Sequence, residues 1–289
     1  WSKPLFKEIT SYSGWNLFGA MASLMNNQGI NIILNIFFGP VVNAARAIAF
    51  QVNTSLNQFV QNFLISTRPQ ITKYYAQGEN DKMLKLVFQS SKFSFFLIFF
   101  FALPILFEIP FIFQIWLKNI PEYTVLFTRL IIIGALIDAL SYPLMAAAQA
   151  TGKIKGYQSI VGTTMLLNVP TSYILLKLGF EAEYVFYTAI VNSVVCLFIR
   201  LIMLRKMVGL SVSCFATKVI LRIIPVAIIS IVCVYLIKQL QLISYLEFTT
   251  IFISSFLFVF FSSYLIGLDN QERYLVKDQV NKLIKKIKK

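Results

Sequence analysis

Polar side chains suited to holding an anion recur at helical spacing along one otherwise apolar stretch. Placed at ~100° per residue, they fall within about 60° of Arg46; they are Asn43, Arg46, Asn53, Asn57 and Gln61. A guanidinium pairs with phosphate through two parallel hydrogen bonds, and neighbouring amides bond to hydroxyl groups. The set therefore predicts a site for an anionic, sugar-bearing ligand, with Arg46, Asn43, Asn53 and Asn57 lining it.

A second polar stripe lies on the preceding stretch, and we expect its Asn27 and Asn31 to line the same site. A charged side chain at mid-membrane costs at least ~2.5–3.5 kcal/mol. The two stripes should therefore face a neighbouring helix or a water-filled cavity instead of lipid. Two simpler interpretations stay open: the amides only join helices through hydrogen bonds, or Arg46 reaches towards the outer loop at Gly39–Pro40.

Asp138 is the only acidic residue near the middle of an apolar stretch, and Ser141 and Gln149 share about the same face. A carboxylate inside a transporter is a candidate site for a proton or a cation. It can equally be a structural partner for an arginine or a backbone group. Lys92, in an earlier stretch, is expected to extend to the nearer membrane surface and to do nothing more.

The chain lacks the residues that several kinds of catalytic and metal site require. The chain has no histidine, and its three cysteines, Cys196, Cys214 and Cys233, form no CxxC pair. Histidine-based metal sites and Ser-His-Asp or Cys-His nucleophiles therefore have no ligands or bases. The phosphate-loop pattern GxxxxGK[ST] is missing as well. We expect no catalytic residues, no metal and no other cofactor.

The elements that position these residues are eight long apolar stretches. Each reaches the ~20 residues that a helix needs to cross ~30 Å of hydrocarbon. They are Tyr12–Phe38, Val42–Ser66, Leu84–Phe107, Thr124–Gln149, Ile154–Leu176, Tyr184–Leu204, Phe215–Ile237 and Glu247–Ile266. Hydrophobic residues make up 57% of the chain and charged residues 13%, against about 25% charged in soluble domains. The sequence predicts an all-α, polytopic transmembrane bundle of about eight spans.

Basic residues alternate between the loops. If the N-terminus is cytoplasmic, the outer loops hold only Lys118, Lys177 and Lys238. The inner segments hold Lys3, Lys7, Arg68, Lys73, Lys82, Lys85, Lys153, Lys155, Arg200, Arg205, Lys206 and the lysine-rich tail. This bias predicts that both ends of the chain are cytoplasmic. Topology and anionic lipid headgroups then explain most of the +14 net charge, so we expect no nucleic-acid partner.

The stretches group into three regions. Residues 1–206 form a predicted six-helix lobe, residues 207–268 an additional helical pair, and residues 269–289 a basic amphipathic tail on the cytoplasmic membrane surface. The first methionine is Met21, inside the first stretch, and no signal peptide is recognisable. We therefore expect the chain to be part of a longer protein.

A family resemblance is carried by two motifs, FGPVVNAARAIAFQV at 38–52 and AAQATGKIK at 147–155. With the residues around them, from about Lys3 to about Gly209, the chain resembles the polysaccharide flippases of the multidrug/oligosaccharidyl-lipid/polysaccharide exporter superfamily. It is similar above all to O-antigen and capsule repeat-unit flippases. Members typically have fourteen spans, which form two six-helix lobes and a further pair. The resemblance implies that this chain is the C-terminal lobe plus the pair, without its N-terminal six-helix lobe.

The resemblance also implies a function. Undecaprenyl-pyrophosphate-linked oligosaccharide would cross the bacterial inner membrane by alternating access, for synthesis of O-antigen, capsule or exopolysaccharide, with a polysaccharide polymerase as an expected neighbour. Arg46, with Asn43, Asn53 and Asn57, matches the cavity-lining part of the family's first helix pair in this lobe. Asp138 is a candidate for ion coupling. The family does no covalent chemistry, so the chain is not expected to be an enzyme.

Two other classes stay open. A cation-coupled multidrug-type exporter of the same superfamily would use cavity acids, and Asp138 is the one mid-span acid. A membrane glycosyltransferase or polymerase acting on lipid-linked sugars would need catalytic residues in a large outer loop. The longest outer connection is expected at 108–123, where Glu108 and Glu122 are the only acids, too few for a paired-carboxylate site of the usual kind.

Overall fold

The computed structural model describes residues 1–240, 244–274 and 277–278, and every regular element within them is helical. The long helices are α1 (Lys3–Phe38), α2 (Pro40–Ala76), α3 (Asn80–Trp116), α4 (Thr124–Ala150), α5 (Lys155–Lys177), α6 (Tyr184–Val208), α7 (Val212–Lys238) and α8 (Tyr245–Gly267). A π-helical turn interrupts α7 at Ala216–Ile220, and another ends α8 at Ser263–Gly267. The all-helical prediction is thus confirmed for the described residues.

Local signals set the helix ends. Gly39 has φ 77°, a left-handed value that suits glycine, and it turns the chain from α1 into α2. Pro40 follows at the first position of α2, where its missing N–H has no helical partner to lose. Gly209 ends α6 in the left-handed conformation, and its N–H donates to the carbonyl of Leu204.

Six of these helices, α3 to α8, are long and apolar enough to cross a membrane. Six such helices in one chain indicate a multi-pass membrane protein. α1 and α2 contain 36 and 37 residues, but they fall outside this group because amides and hydroxyls run along them. The prediction of eight spans is therefore confirmed only for its last six members.

Five helices surround a common centre. α1 packs on α5, α5 on α6, α6 on α4, and α4 on α2, and a smaller contact between α2 and α1 closes the ring. α3 packs on the outside of α2 and α4, and α7 and α8 pack on each other and on α3. The polar faces predicted from the sequence therefore meet inside the ring, while the last helical pair is attached to its outside.

Helix α3 continues beyond its predicted end at Phe107. Glu108 has non-helical angles (φ −111°, ψ 15°) between Pro104 and Pro110, so the helix bends there and runs on to Trp116. The connection to α4 is accordingly shorter than the expected outer loop at 108–123. Lys238, assigned from the sequence to an outer loop, lies in the last turn of α7 and donates to Phe107 O (2.8 Å) and Glu108 Oε1 (2.9 Å).

The expectation that Lys92 only extends to the membrane surface is wrong. Its side chain is buried, with 4% of the residue exposed, and its Nζ lies 2.6 Å from Oε2 of Glu272. Glu272 follows α8 in a short helical segment at 270–274, where Asp269 and Glu272 each accept a hydrogen bond from the other's backbone N–H. The segment folds back onto α3 and supplies an anion that no local pattern places there.

Most of the predicted amphipathic tail cannot be compared with the structure. Of its apolar positions Tyr274 is exposed, whereas Leu275, Val280, Leu283, Ile284 and Ile287 lie outside the described residues. The start of the tail differs from a free surface helix, because Glu272 is only 2% exposed.

Candidate functional site

A polar cavity of about 500 Å³ lies inside the helical ring, and residues of α1, α2, α4, α5 and α6 line it. Sites for small molecules commonly have volumes of about 300–1,000 Å³. Its polar lining consists of Asn16, Ser23, Asn26, Asn27, Arg46, Asn53, Asp138, Ser141, Tyr142, Gln149, Tyr157, Gln158, Asn168, Asn192, Ser193 and Arg200. Amides and hydroxyls dominate this lining, which suits a hydroxyl-rich ligand.

Helical spacing brings these residues to one surface. On α4, Asp138, Ser141 and Gln149 are three and eight residues apart, so they share a face. Glycines let the walls approach one another: a Cβ on Gly29 would come within 2.9 Å of Val169, and one on Gly162 within 2.9 Å of Phe18. α1 and α5 therefore pack closely along one side of the cavity.

Arg46 is buried, with 7% of its surface exposed, and it binds α1. Its Nη1 donates to Asn31 Oδ1 at 2.6 Å and its Nη2 to the backbone oxygen of Asn27 at 3.2 Å. The guanidinium carbon lies 5.0 Å from the centre of the Phe50 ring. Arg46 thus does not reach for the outer loop, and both of its terminal nitrogens already have acceptors within the protein.

The structure divides the predicted ligand-binding residues into two groups. Arg46, Asn27 and Asn53 line the cavity together with Asp138. Asn31, Asn43 and Asn57 do not line it. Asn43 donates to the backbone oxygen of Asn31 (3.2 Å). Asn57 donates to Asn53 Oδ1 (2.7 Å) and accepts from the Tyr142 hydroxyl (2.8 Å). In these three the amide joins helices or orients a neighbour, one of the two roles considered from the sequence.

Asp138 lines the cavity beside the hydroxyl of Ser193, and the charge of Arg200 is nearby. Among the described residues, no lysine or arginine nitrogen lies within 4.0 Å of its carboxylate. Arg129, nine residues earlier on α4, is exposed and does not line the cavity. Asp138 is therefore a cavity group without a close counter-ion, which a proton, a cation or water can reach from inside.

The sequence interpretation missed Arg200 and Tyr157. Arg200 was counted among the basic residues of the inner segments, although it lies within the predicted stretch Tyr184–Leu204, and α6 continues for two turns beyond it to Val208. Arg200 is 4% exposed, and its Nε donates to the Tyr157 hydroxyl at 3.1 Å. The spacing held a signal, since Arg200 follows Ser193 by seven residues and shares its helical face. Arg200 therefore no longer counts among the basic residues of the loops that are predicted to be cytoplasmic.

Some buried polar atoms of the cavity have no partner in the described structure. They include the Arg46 Nε, the Ser141 Oγ and the Asn168 Oδ1, although Asn168 also donates to Asn26 at 3.1 Å. An unpaired buried donor or acceptor costs about 1–3 kcal/mol. The cavity therefore has unused hydrogen-bonding capacity, which water or a polar ligand would satisfy.

The chain matches no family model, no curated protein and no solved structure. The resemblance to exporters of lipid-linked sugars therefore stays a prediction that depends on the two sequence motifs. The geometry of the cavity is independent of that resemblance. Among the described residues, the cavity lining contains two buried guanidiniums, one carboxylate and many neutral polar groups inside a largely apolar helical bundle.

Proposed function

We propose that the chain is part of a transporter that flips undecaprenyl-pyrophosphate-linked oligosaccharide repeat units across the bacterial inner membrane by alternating access. One observation carries the proposal: a cavity of about 500 Å³, lined by amides, hydroxyls and two buried arginines, lies within a bundle of apolar helices. The two sequence motifs of the exporter superfamily add to it.

The chemistry of the cavity favours this class of cargo. Polar and ionisable groups inside a membrane are costly, and they commonly mark the path of a polar solute or ion. Arg46 and Arg200 supply positive charge for a phosphate or an acidic sugar, and the amides match sugar hydroxyls. Asp138 is the only acid among the described lining residues, whereas paired-carboxylate glycosyl chemistry needs two.

We further propose that α1 and α2 also cross the membrane, which gives eight spans of a fourteen-span fold with an N-terminal six-helix lobe opposite them. The outward surface of α2 supports this arrangement. It exposes a stripe of uncharged polar side chains, Gln51, Thr54, Ser55, Gln58 and Asn62. Facing lipid, these groups would lose hydrogen bonds with water. A water-filled cleft between two lobes would keep them hydrated, and it also explains why α1 and α2 are less apolar than α3 to α8.

In this arrangement both ends of the chain lie in the cytoplasm, and the basic residues near them meet anionic lipids of the inner membrane. The cargo enters from the cytoplasmic side, and its lipid tail stays in the bilayer. A polysaccharide polymerase would take the repeat units on the other side. Movement of the two lobes against each other would change the side to which the cavity opens.

A reconstitution experiment tests the function. The full-length protein is placed in vesicles with a fluorescent undecaprenyl-pyrophosphate oligosaccharide, and the fraction that an impermeant quencher can reach is followed over time. We expect transbilayer movement to be faster than in protein-free vesicles. The alternative is a cation-coupled multidrug-type exporter, which Asp138 in the cavity wall favours. Movement of an organic cation without movement of the lipid-linked sugar would establish that alternative. Transfer of the labelled sugar to another molecule would establish an enzyme.

A further inference from the structure

We infer that Arg200, and not Arg46, is the residue that holds an oxyanion of the ligand in this cavity. The inference deepens the proposed function and rests on it only for the kind of ligand, a phosphate or diphosphate group. We base it on a comparison of the hydrogen bonds that the guanidinium nitrogens of Arg46 and Arg200 make. A bidentate contact with phosphate needs two neighbouring N–H groups that point towards it and are not engaged elsewhere.

The terminal nitrogens of Arg46 are already used to join two helices. Its Nη1 and Nη2 donate to Asn31 and to the backbone of Asn27, respectively, which fixes α1 to α2. Its Nε is buried and lacks a partner within the described residues. Each terminal nitrogen keeps a second hydrogen, but a phosphate at Arg46 would compete with the two hydrogen bonds that join α1 and α2.

Arg200 has the reverse arrangement. Its single hydrogen bond among the described residues runs from Nε to the Tyr157 hydroxyl, at 3.1 Å in a buried setting. The two terminal nitrogens of Arg200 have no acceptor among the described residues. The residue lines the cavity, so these nitrogens are available to a ligand there. Tyr157 thereby orients the guanidinium, and the fork that suits a phosphate stays available.

The two arginines also lie at different depths. α2 and α6 start at the same end of an up-and-down bundle; Arg46 is six residues from the start of α2 and Arg200 sixteen from the start of α6. At ~1.5 Å per residue, about 15 Å separates them along the bundle. One phosphate therefore cannot contact both. Asp138 lies near Arg200 but beyond ion-pair distance, so it opposes an anion there without blocking the fork.

The test is a titration of the purified chain in neutral detergent with inorganic pyrophosphate, followed by calorimetry. Arg200→Ala should weaken binding by at least about tenfold, since hydrogen bonds to charged groups are among the stronger ones. Arg200→Lys keeps the charge without the planar fork and should recover part of the affinity. Asp138→Asn removes the opposing charge and should tighten binding. Arg129→Ala, an exposed arginine of α4, is the matched control and should bind like the wild type.

The Arg46→Ala variant compares the two arginines directly. In protein that stays helical, Arg46→Ala should weaken pyrophosphate binding less than Arg200→Ala does, because the Arg46 charge would act on the ligand only from about 15 Å away. Loss of binding in that variant, together with normal binding by Arg200→Ala, would overturn the inference. So would a wild-type chain that does not bind pyrophosphate. If Arg200→Ala does not fold, Arg200→Lys and Asp138→Asn decide the matter, because they change affinity in opposite directions.

A second arm separates a diphosphate from a lipid headgroup. The titration is repeated in micelles that contain phosphatidylglycerol. Since five helices enclose the cavity, we expect unchanged affinity for pyrophosphate. Competition in the wild type that disappears in Arg200→Lys would assign the site to lipid headgroups and overturn the diphosphate assignment. A chain that binds pyrophosphate through Arg200 while the full-length protein flips no lipid would retain this inference and reject the proposed function.

Discussion

The buried ion pair between Lys92 and Glu272 attaches the segment after α8 to α3. Both residues are nearly inaccessible, and 2.6 Å separates their charged atoms. Removing a charge from water is expensive, and here the partner charge and the hydrogen bond from the Asp269 N–H offset that cost. The pair therefore fixes the segment after α8 to α3 and excludes a freely moving start of the tail.

Breaking this pair from one side should be strongly destabilising. Lys92→Met or Glu272→Gln leaves the other residue buried with an unmatched polar or charged group, a loss of about 3–5 kcal/mol for such pairs. Thermal unfolding in detergent, followed by circular dichroism, measures the change. Lys82→Met is the matched control, because Lys82 pairs with Glu79 at an exposed site, and it should leave the unfolding temperature nearly unchanged. Equal behaviour of the three variants would mean that the buried pair contributes no stability.

At the scale of the elements, the close approach of α1 and α5 shapes the cavity. Gly29 on α1 faces Val169 of α5, whose branched side chain has few alternative rotamers. The approach keeps Asn26 within 3.1 Å of Asn168 across the same interface. The absence of a side chain at Gly29 is thus what allows the two polar faces to meet.

A methyl group at Gly29 should force these helices apart. Gly29→Ala places a Cβ 2.9 Å from Val169, and overpacking of this kind costs about 1–3 kcal/mol. Gly134→Ala on α4 is the control, because its Cβ would meet Ile190 at 3.9 Å, an ordinary contact. That variant should be unchanged or more stable, by up to ~1 kcal/mol, since alanine favours helix. Unfolding temperatures that rise for both variants would contradict the proposed contact.

At the scale of the whole molecule, the arrangement in the membrane follows from the number of spans. An even number of spans would place both ends on one side of the membrane, and the loop charges predict that this side is the cytoplasm. Arg200 is buried in the bundle, so the inner loops lose one predicted positive charge. Lys238 belongs to α7 and binds α3, so the outer loops lose one as well. The asymmetry between the two sides therefore persists.

Single-cysteine labelling checks this arrangement. In a chain whose three cysteines are replaced by alanine, an impermeant thiol reagent added outside intact cells should label Asn119→Cys between α3 and α4. It should not label Lys153→Cys between α4 and α5, although both positions are exposed. After the cells are opened, both should react. Labelling of the second variant alone in intact cells would reverse the orientation. Labelling of both would mean that α4, the helix between the two positions, does not cross the membrane.

What the sequence determined by itself was the set of helices. Apolar stretches of membrane length predict them well because a helix in hydrocarbon satisfies its backbone hydrogen bonds within itself. The predicted end of α4, at Gln149, is one residue from the observed one at Ala150, and the start of α6 at Tyr184 agrees. Helical periodicity also placed Arg46, Asn53 and Asp138 towards the interior.

Only the tertiary structure decided how those side chains are used. Hydrogen bonds from Arg46 to α1 occupy its terminal nitrogens, whereas a tyrosine 43 residues away orients Arg200 and leaves its fork free. The partner of Lys92 is 180 residues distant. Periodicity reports which face of a helix a residue occupies, but the acceptor that meets it belongs to another helix. That choice depends on the packing of the whole bundle, and no local pattern encodes it.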